Sequence, residues 1–165
     1  MRDDGGDFER FFRDEYPTIV RTLIPIVGDV RESESIAQEA FVKAMTRWTT
    51  VGRHDRPGAW VRRVAIRDAV RFVKRTPRPD ADVARLVQSA RAPEDNEELY
   101  AELQNLPPQQ RAAVALRHLA GWPTKEIAEA LGCAESTVRV HLHRGLNALA
   151  DRLQPTEPEA CDDHR

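Results

Sequence analysis

Between Thr76 and Asn96 the chain runs TPRPDADVARLVQSARAPEDN. Proline lacks an N–H and its ring clashes with the preceding helical turn, so Pro77, Pro79 and Pro93 bar a long regular element from crossing this stretch. Asp80, Asp82, Glu94 and Asp95 make it acidic, and only Val83, Leu86 and Val87 suit a short helix. Residues 77–96 are therefore expected to form a flexible acidic linker between a first block, 1–76, and a second, 97–153. Residues 154–165, with Pro155, Glu157, Pro158, Glu159, Asp162 and Asp163, have the polarity of a disordered tail.

Both blocks carry apolar residues at helical spacing, which points to an all-α fold of two small helical domains. In the first, Phe8, Phe11, Phe12, Ile19, Val20, Leu23, Ile24 and Val27 are interrupted by Pro17 and Pro25, so two helical pieces or one kinked helix should result. Ser35 and Gln38 have capping-box spacing ahead of a helix whose buried stripe would be Ile36, Ala40, Phe41, Ala44 and Trp48. The other side of that helix shows Gln38, Glu39, Lys43 and Arg47. A third helix should begin at Pro57, because proline suits the first helical position, and run to about Arg75. In the second block, helices are expected over 97–105 and 109–120, the latter closed by Gly121, with Thr124 capping the next.

The segment TKEIAEALGCAESTVRVHLHRG, 124–145, places a turn at Gly132, Cys133 and Ala134 between two helices, the layout of a helix-turn-helix. At ~100° per residue, Val138, Leu142, Gly145, Leu146, Leu149 and Leu153 gather on one side of the second helix. Ser136, Thr137, Val140, His143, Arg144 and Asn147 lie opposite, with Arg139 at the edge. The packed side would meet Ile127, Ala128 and Leu131. The displayed side offers donors to base edges and phosphates, and Val140 an apolar contact for a thymine methyl. A helical hairpin with a solvated polar face is the plainer reading of this pattern taken alone. A metal site is not expected: His141 and His143 fall ~160° apart on the helix, whereas helical ligands share a face. Cys133 fits a small buried residue of the turn, and with Cys161 far away in the tail no disulfide framework is indicated.

The net charge of the chain is -2, yet between Val51 and Pro79 nine basic residues stand against two acidic ones. On the helix from Pro57, Trp60, Arg63, Arg67, Arg71 and Lys74 share one stripe, opposite a buried side of Val61, Val64, Ala65, Ala69, Phe72 and Val73. Cations that follow phosphates, led by an aromatic ring that can stack on a base, are how single strands are commonly held. For Trp60 alone, burial against a neighbouring helix is the favoured reading. The preceding loop VGRHDRPG, with Arg53, His54, Asp55 and Arg56, suits a pocket for an unstacked base, or a surface loop without a role. Fully extended, a linker of some twenty residues reaches at most ~70 Å, about two turns of duplex at ~34 Å each. That would let the blocks bind separate DNA sites.

Taken together, SIAQEAFVKAMTRW, RPGAWVRRVAIRDAVRFVKR and LQNLPPQQRAAVALRHLAGWPTKEIAEALGCAESTVRVHLHRGLNAL resemble, in this order and from Phe8 to Leu153, the bacterial RNA polymerase sigma factors of the extracytoplasmic-function (ECF) type. The resemblance implies that the first block binds the clamp of core RNA polymerase through Gln38, Glu39, Lys43 and Arg47. It further implies that the same block captures the melted nontemplate strand at the -10 element, with a flipped base near Arg53 to Arg56. The second block would read the -35 element as duplex through Arg139, Val140, His143 and Arg144. Where the family often has asparagine and aspartate in the strand helix, this chain has Arg67 and Arg71, so phosphate contact is what the resemblance implies there. No catalytic residue, metal or cofactor is implied. The implied partners are core polymerase, promoter DNA and an anti-sigma factor, and the free chain would be a monomer.

A ligand-responsive regulator that binds duplex DNA as a dimer, its first block sensing a small molecule, is the rival from another class. An acidic N-terminus without an apolar core and the absence of an apolar run of about 18 residues lead to the expectation of a cytoplasmic protein.

Overall fold

The structure is a computed structural model and describes residues 4–76 and 97–154. The expected linker and most of the expected tail lie outside the described residues. Within them the chain is helical, with no strand.

Helix α1 spans Asp4–Val27 as one helix with Pro17 and Pro25 inside it. Its buried residues, Ile19, Leu23, Ile26 and Val27, outweigh the backbone bonds that the prolines remove. Gly28, with φ 72°, ends it in the left-handed conformation that glycine adopts without strain. Helix α2 spans Val30–Thr46 and starts earlier than Ser35: the Asp29 carboxylate accepts from the Glu32 N–H at 2.9 Å. Ser33 is buried and donates its hydroxyl to the Asp29 carbonyl, which fixes the start there. Ser35 and Gln38 therefore lie inside the helix rather than at its cap. The expected stripe is buried from Ile36 to Ala44, and Trp48 opens a short helix α3, Trp48–Val51. Phe8, Phe11, Phe12 and Tyr16 of α1 surround Phe41 at ring-centroid distances of 4.9–6.5 Å and tie α1 to α2.

Helix α4 spans Pro57–Arg75 with Pro57 in its first turn, as expected. It buries more than one side. Besides Val61, Ala65 and Ala69, Ile66 and Val70 are covered, because the second block packs on α4 as well.

In that block α5 spans Glu97–Gln104 and α6 spans Pro108–Val114, continuing through a π-helical turn, Ala115–Leu119. The Ala120 N–H reaches the Ala115 carbonyl at 3.0 Å, an i to i+5 bond that widens the helix end before Gly121 at φ 71°. Helix α7 spans Thr124–Leu131 and α8 spans Glu135–Leu153. Thr124 is the first helical residue and makes no capping bond, since Pro123 holds the cap position. Gly132, φ 68°, makes the turn. A Cβ on Gly145 would stand 2.7 Å from Val114 Cγ2, so α8 lies against α6 at a distance only glycine allows. One buried cluster runs from Ile19, Leu23 and Phe41 through Ala65 and Ile66 to Leu116, Ile127 and Val138, joining both blocks.

Candidate nucleic-acid interface

Val138, Gly145 and Leu149 of α8 are buried, and Leu142 is half-buried against the buried cluster that includes Ile127 and Ala128 of α7. Leu146, which the wheel puts on the packed side, is exposed. Ser136, Thr137, Arg139, Val140, His143 and Arg144 are all exposed. Their recorded polar contacts stay within α8: Arg139 pairs with Glu135 at 3.5 Å, and His143 and Asn147 lie 3.2 Å apart. Such i, i+4 pairs are weak and can be exchanged for a ligand without moving the backbone. An apolar Val140 in an otherwise polar exposed face is chemically suited to a base methyl beside hydrogen-bond donors.

His141 takes the opposite direction. Both its ring nitrogens are buried without a hydrogen-bond partner among the described residues. Burial, then the positive charges of Arg144 and of Lys74 on α4, hold its pKa below the usual histidine value. Cys133 in the turn is a free, half-buried thiol whose pKa burial raises, so the thiol form dominates. Among the described residues no three His, Cys, Asp or Glu side chains are placed to hold a metal ion.

The stripe on α4 is brought together, with Arg67, Arg71 and Lys74 exposed, and α7 engages part of it. Arg67 donates from Nη2 to the Glu129 carbonyl at 3.0 Å and from Nε to the Ala130 carbonyl at 3.3 Å. Arg63 lies 3.9 Å from the Glu129 carboxylate, and Arg56 lies 3.2 Å from that of Glu126. Arg71 is exposed and pairs with Asp68 on its own helix, and Lys74 is exposed at the far end. Trp60 is half-buried against the core. Arg53, His54 and Asp55 form an exposed turn between α3 and α4.

On α2 and at its C-terminal cap, Gln38, Glu39, Lys43 and Arg47 are exposed, with Lys43 paired to Asp68 of α4. Two neighbours escaped the sequence reading: Val42 and Met45 are each 54% exposed. Large apolar side chains turned outward beside charged ones are the composition of a docking surface. Their position off the Ile36–Ala40–Phe41–Ala44 stripe is the signal that could have identified them. No helix among the described residues is long and apolar enough to cross a membrane.

Comparison with known proteins matches residues 11–78 to Sigma-70 region 2 and residues 96–149 to Sigma-70, region 4. The ECF RNA polymerase sigma factor SigL of Mycobacterium tuberculosis is 30% identical over 158 residues, covering 88% of this chain and 88% of that protein. RNA polymerase sigma-E factor of Streptomyces antibioticus is 29% identical, over 93% of this chain and 88% of its own. Among solved structures, the sigma factor RpoE of Bartonella quintana, crystallised with the anti-sigma factor NepR, shares the fold with a TM-score of 0.69 at 18% identity, covering 92% of this chain and 99% of that one. Two sigma-70 regions in their expected order, and a relative matched along almost its whole length, show that the chain belongs to the ECF family of RNA polymerase sigma factors.

Proposed function

We propose that this chain binds core RNA polymerase and directs it to promoters by reading two DNA elements in two physical forms. Helix α8 reads the -35 element as duplex through Ser136, Thr137, Arg139, Val140, His143 and Arg144. The turn 53–56 and helix α4, through Trp60, Arg63, Arg67, Arg71 and Lys74, hold the melted -10 strand. Core polymerase docks on α2 at Gln38, Glu39, Lys43 and Arg47, with Val42 and Met45 supplying the apolar part of the contact. The observation that carries this reading is the pairing, in one chain, of an exposed polar helix face after a glycine turn with a cationic helix on a separate sigma-70 region.

The energetics suit the division. A side-chain pair bidentate to a base edge discriminates by about 1–3 kcal/mol in duplex. A melted strand instead offers phosphates and ring faces, which arginines and Trp60 can meet whatever the base. Opening is stabilised by holding the unpaired strand, which needs no cofactor. A dimeric ligand-sensing regulator fits less well, because the block it needs as a sensor matches Sigma-70 region 2.

Run-off transcription with purified core polymerase on genomic templates tests the proposal. Discrete transcripts that depend on the added protein are expected. A folded protein that yields none would overturn it.

A further inference from the structure

Arg62 stands off the cationic stripe of α4 and has no part in the contacts proposed above for DNA or polymerase. Its guanidinium is only partly satisfied. Nη2 lies 3.5 Å from a Glu15 carboxylate oxygen, long for a hydrogen bond, and Nε is buried with no hydrogen-bond partner among the described residues. A buried donor left unmade is costly, so this group gains by meeting an acceptor. Arg62 lines a cavity of about 540 Å³ where the two blocks join. Arg21 of α1 lines it too: its exposed guanidinium reaches the Thr18 hydroxyl at 3.4 Å and pairs with no carboxylate among the described residues. The second block supplies the apolar part of the lining. Leu119, the last residue of the π-helical turn, is 42% exposed and lines the cavity together with buried Trp122 and with Tyr100 of α5. Glu126 of α7 adds one carboxylate, which Arg56 pairs at 3.2 Å.

We propose that this cavity binds a small organic monoanion, a single carboxylate on an aromatic or branched apolar body. Its volume falls within the roughly 300–1,000 Å³ of small-molecule sites, which favour the junctions between domains. Guanidinium groups hold carboxylates through charge-assisted hydrogen bonds, often two at once. Arg21 and Arg62 supply donors for such bonds that the fold itself does not use up, while Leu119, Trp122 and Tyr100 suit the apolar body. Glu15 beside Arg62 and Glu126 in the lining oppose a second negative charge, so a carboxylate fits better than a phosphate dianion. Residues of both blocks form the site, so a bound anion adds its binding free energy to what holds the blocks together. Occupancy is therefore a chemical input to their arrangement that needs no protein partner.

The test uses the full chain with hydrocinnamate as the probe, followed by two-dimensional NMR of the backbone amides and the arginine Nε–H groups. A fragment of this size is expected to bind with a Kd in the millimolar range. Saturable shifts should centre on the Arg62 Nε–H, Leu119 and Trp122. Arg21→Gln and Arg62→Gln should each weaken binding at least about tenfold. Ala120→Phe, which keeps both cations and fills the cavity from an exposed position in its lining, should abolish it. Arg13→Gln, exposed on α1 and outside the lining, should leave it unchanged. The uncharged hydrocinnamamide should bind at least about tenfold more weakly than the acid, and saturating hydrocinnamate should raise the Tm of wild type but not of Ala120→Phe. The same spectra show that each variant is folded. No saturable shift well above the millimolar range, or shifts that survive Ala120→Phe, overturn the site. Equal affinity for the amide, or tighter binding of phenyl phosphate, overturns the assignment to a carboxylate.

Discussion

The two surfaces proposed to face DNA differ in what holds them at rest. The α8 face, from Ser136 to Arg144, makes its recorded polar contacts along its own helix. The α4 face has Arg56, Arg63 and Arg67 engaged by α7, across the seam between the blocks. Local i, i+4 contacts can be exchanged for DNA at almost no cost, whereas contacts across a seam are released only if two packed bodies part. The α8 face is free of the first block, whereas the α4 face is engaged in part by the second.

The largest way to break this comparison is to remove the buried part of the seam. Arg111→Met deletes the donor to the Ile26, Gln104 and Leu106 carbonyls while keeping most of the side-chain volume. Leaving buried acceptors unpaired costs ~1–3 kcal/mol each, partly offset because a buried charge is also removed. A net loss of about 3 kcal/mol is expected in urea unfolding. A shift under about 1 kcal/mol would mean that water reaches those carbonyls and that the seam is looser than the α8 face requires.

Paired substitutions sharpen the contrast with smaller effects. Arg144→Ala should weaken -35 duplex binding by the holoenzyme by about 1–3 kcal/mol. It should leave attachment to core and the compactness of the free chain as they are. Arg67→Ala, by contrast, should lower open-complex stability and loosen the free chain together, since one guanidinium serves both states. Filter binding, core pull-down and small-angle scattering on both variants decide the matter. Identical profiles for the two would remove the distinction between the surfaces.

How far each surface was legible follows from where its partners lie. The α8 face could be read because a helical wheel needs only the helix's own residues, and Val138 and Leu149 are buried where the wheel places them. Leu146 fails the same test, because a wheel ranks directions around a helix without saying how far the covering helices reach. The stripe on α4 was legible as a row of cations but not as a seam. Arg67 meets backbone carbonyls, which every residue possesses and no side-chain pattern announces. The burial of Ile66 and Val70 is the trace of α7 on that helix, visible only once the second block is placed. Helix starts were misread where two capping residues competed: Asp29 won over Ser35 because the turn it opens buries Ser33. Val42 and Met45 were missed because an apolar residue is assigned to a core by default.

The smallest expected effect concerns His141, a titrating group at the junction of the two surfaces. His141 points from α8 toward the packed side, with both ring nitrogens buried and unpartnered among the described residues. Its pKa lies below the ordinary value of 6.5 because of burial first, then Arg144 on its own helix and Lys74 on α4. A base whose pKa is lowered in the packed form binds fewer protons there than in a form that exposes it. The contribution of neutral His141 to the packing of the blocks is therefore complete above about pH 6.5 and declines as the pH falls through the lowered pKa, when a third positive charge joins Arg144 and Lys74. Acidification from about pH 7.5 to about 5.5 should shift the free chain modestly toward the extended form. His141→Leu, which needs no hydrogen-bond partner, should flatten that response while leaving the exposed α8 face, and hence -35 reading at neutral pH, unchanged. If the leucine variant opens with acid as the wild type does, His141 is not the group that sets the response.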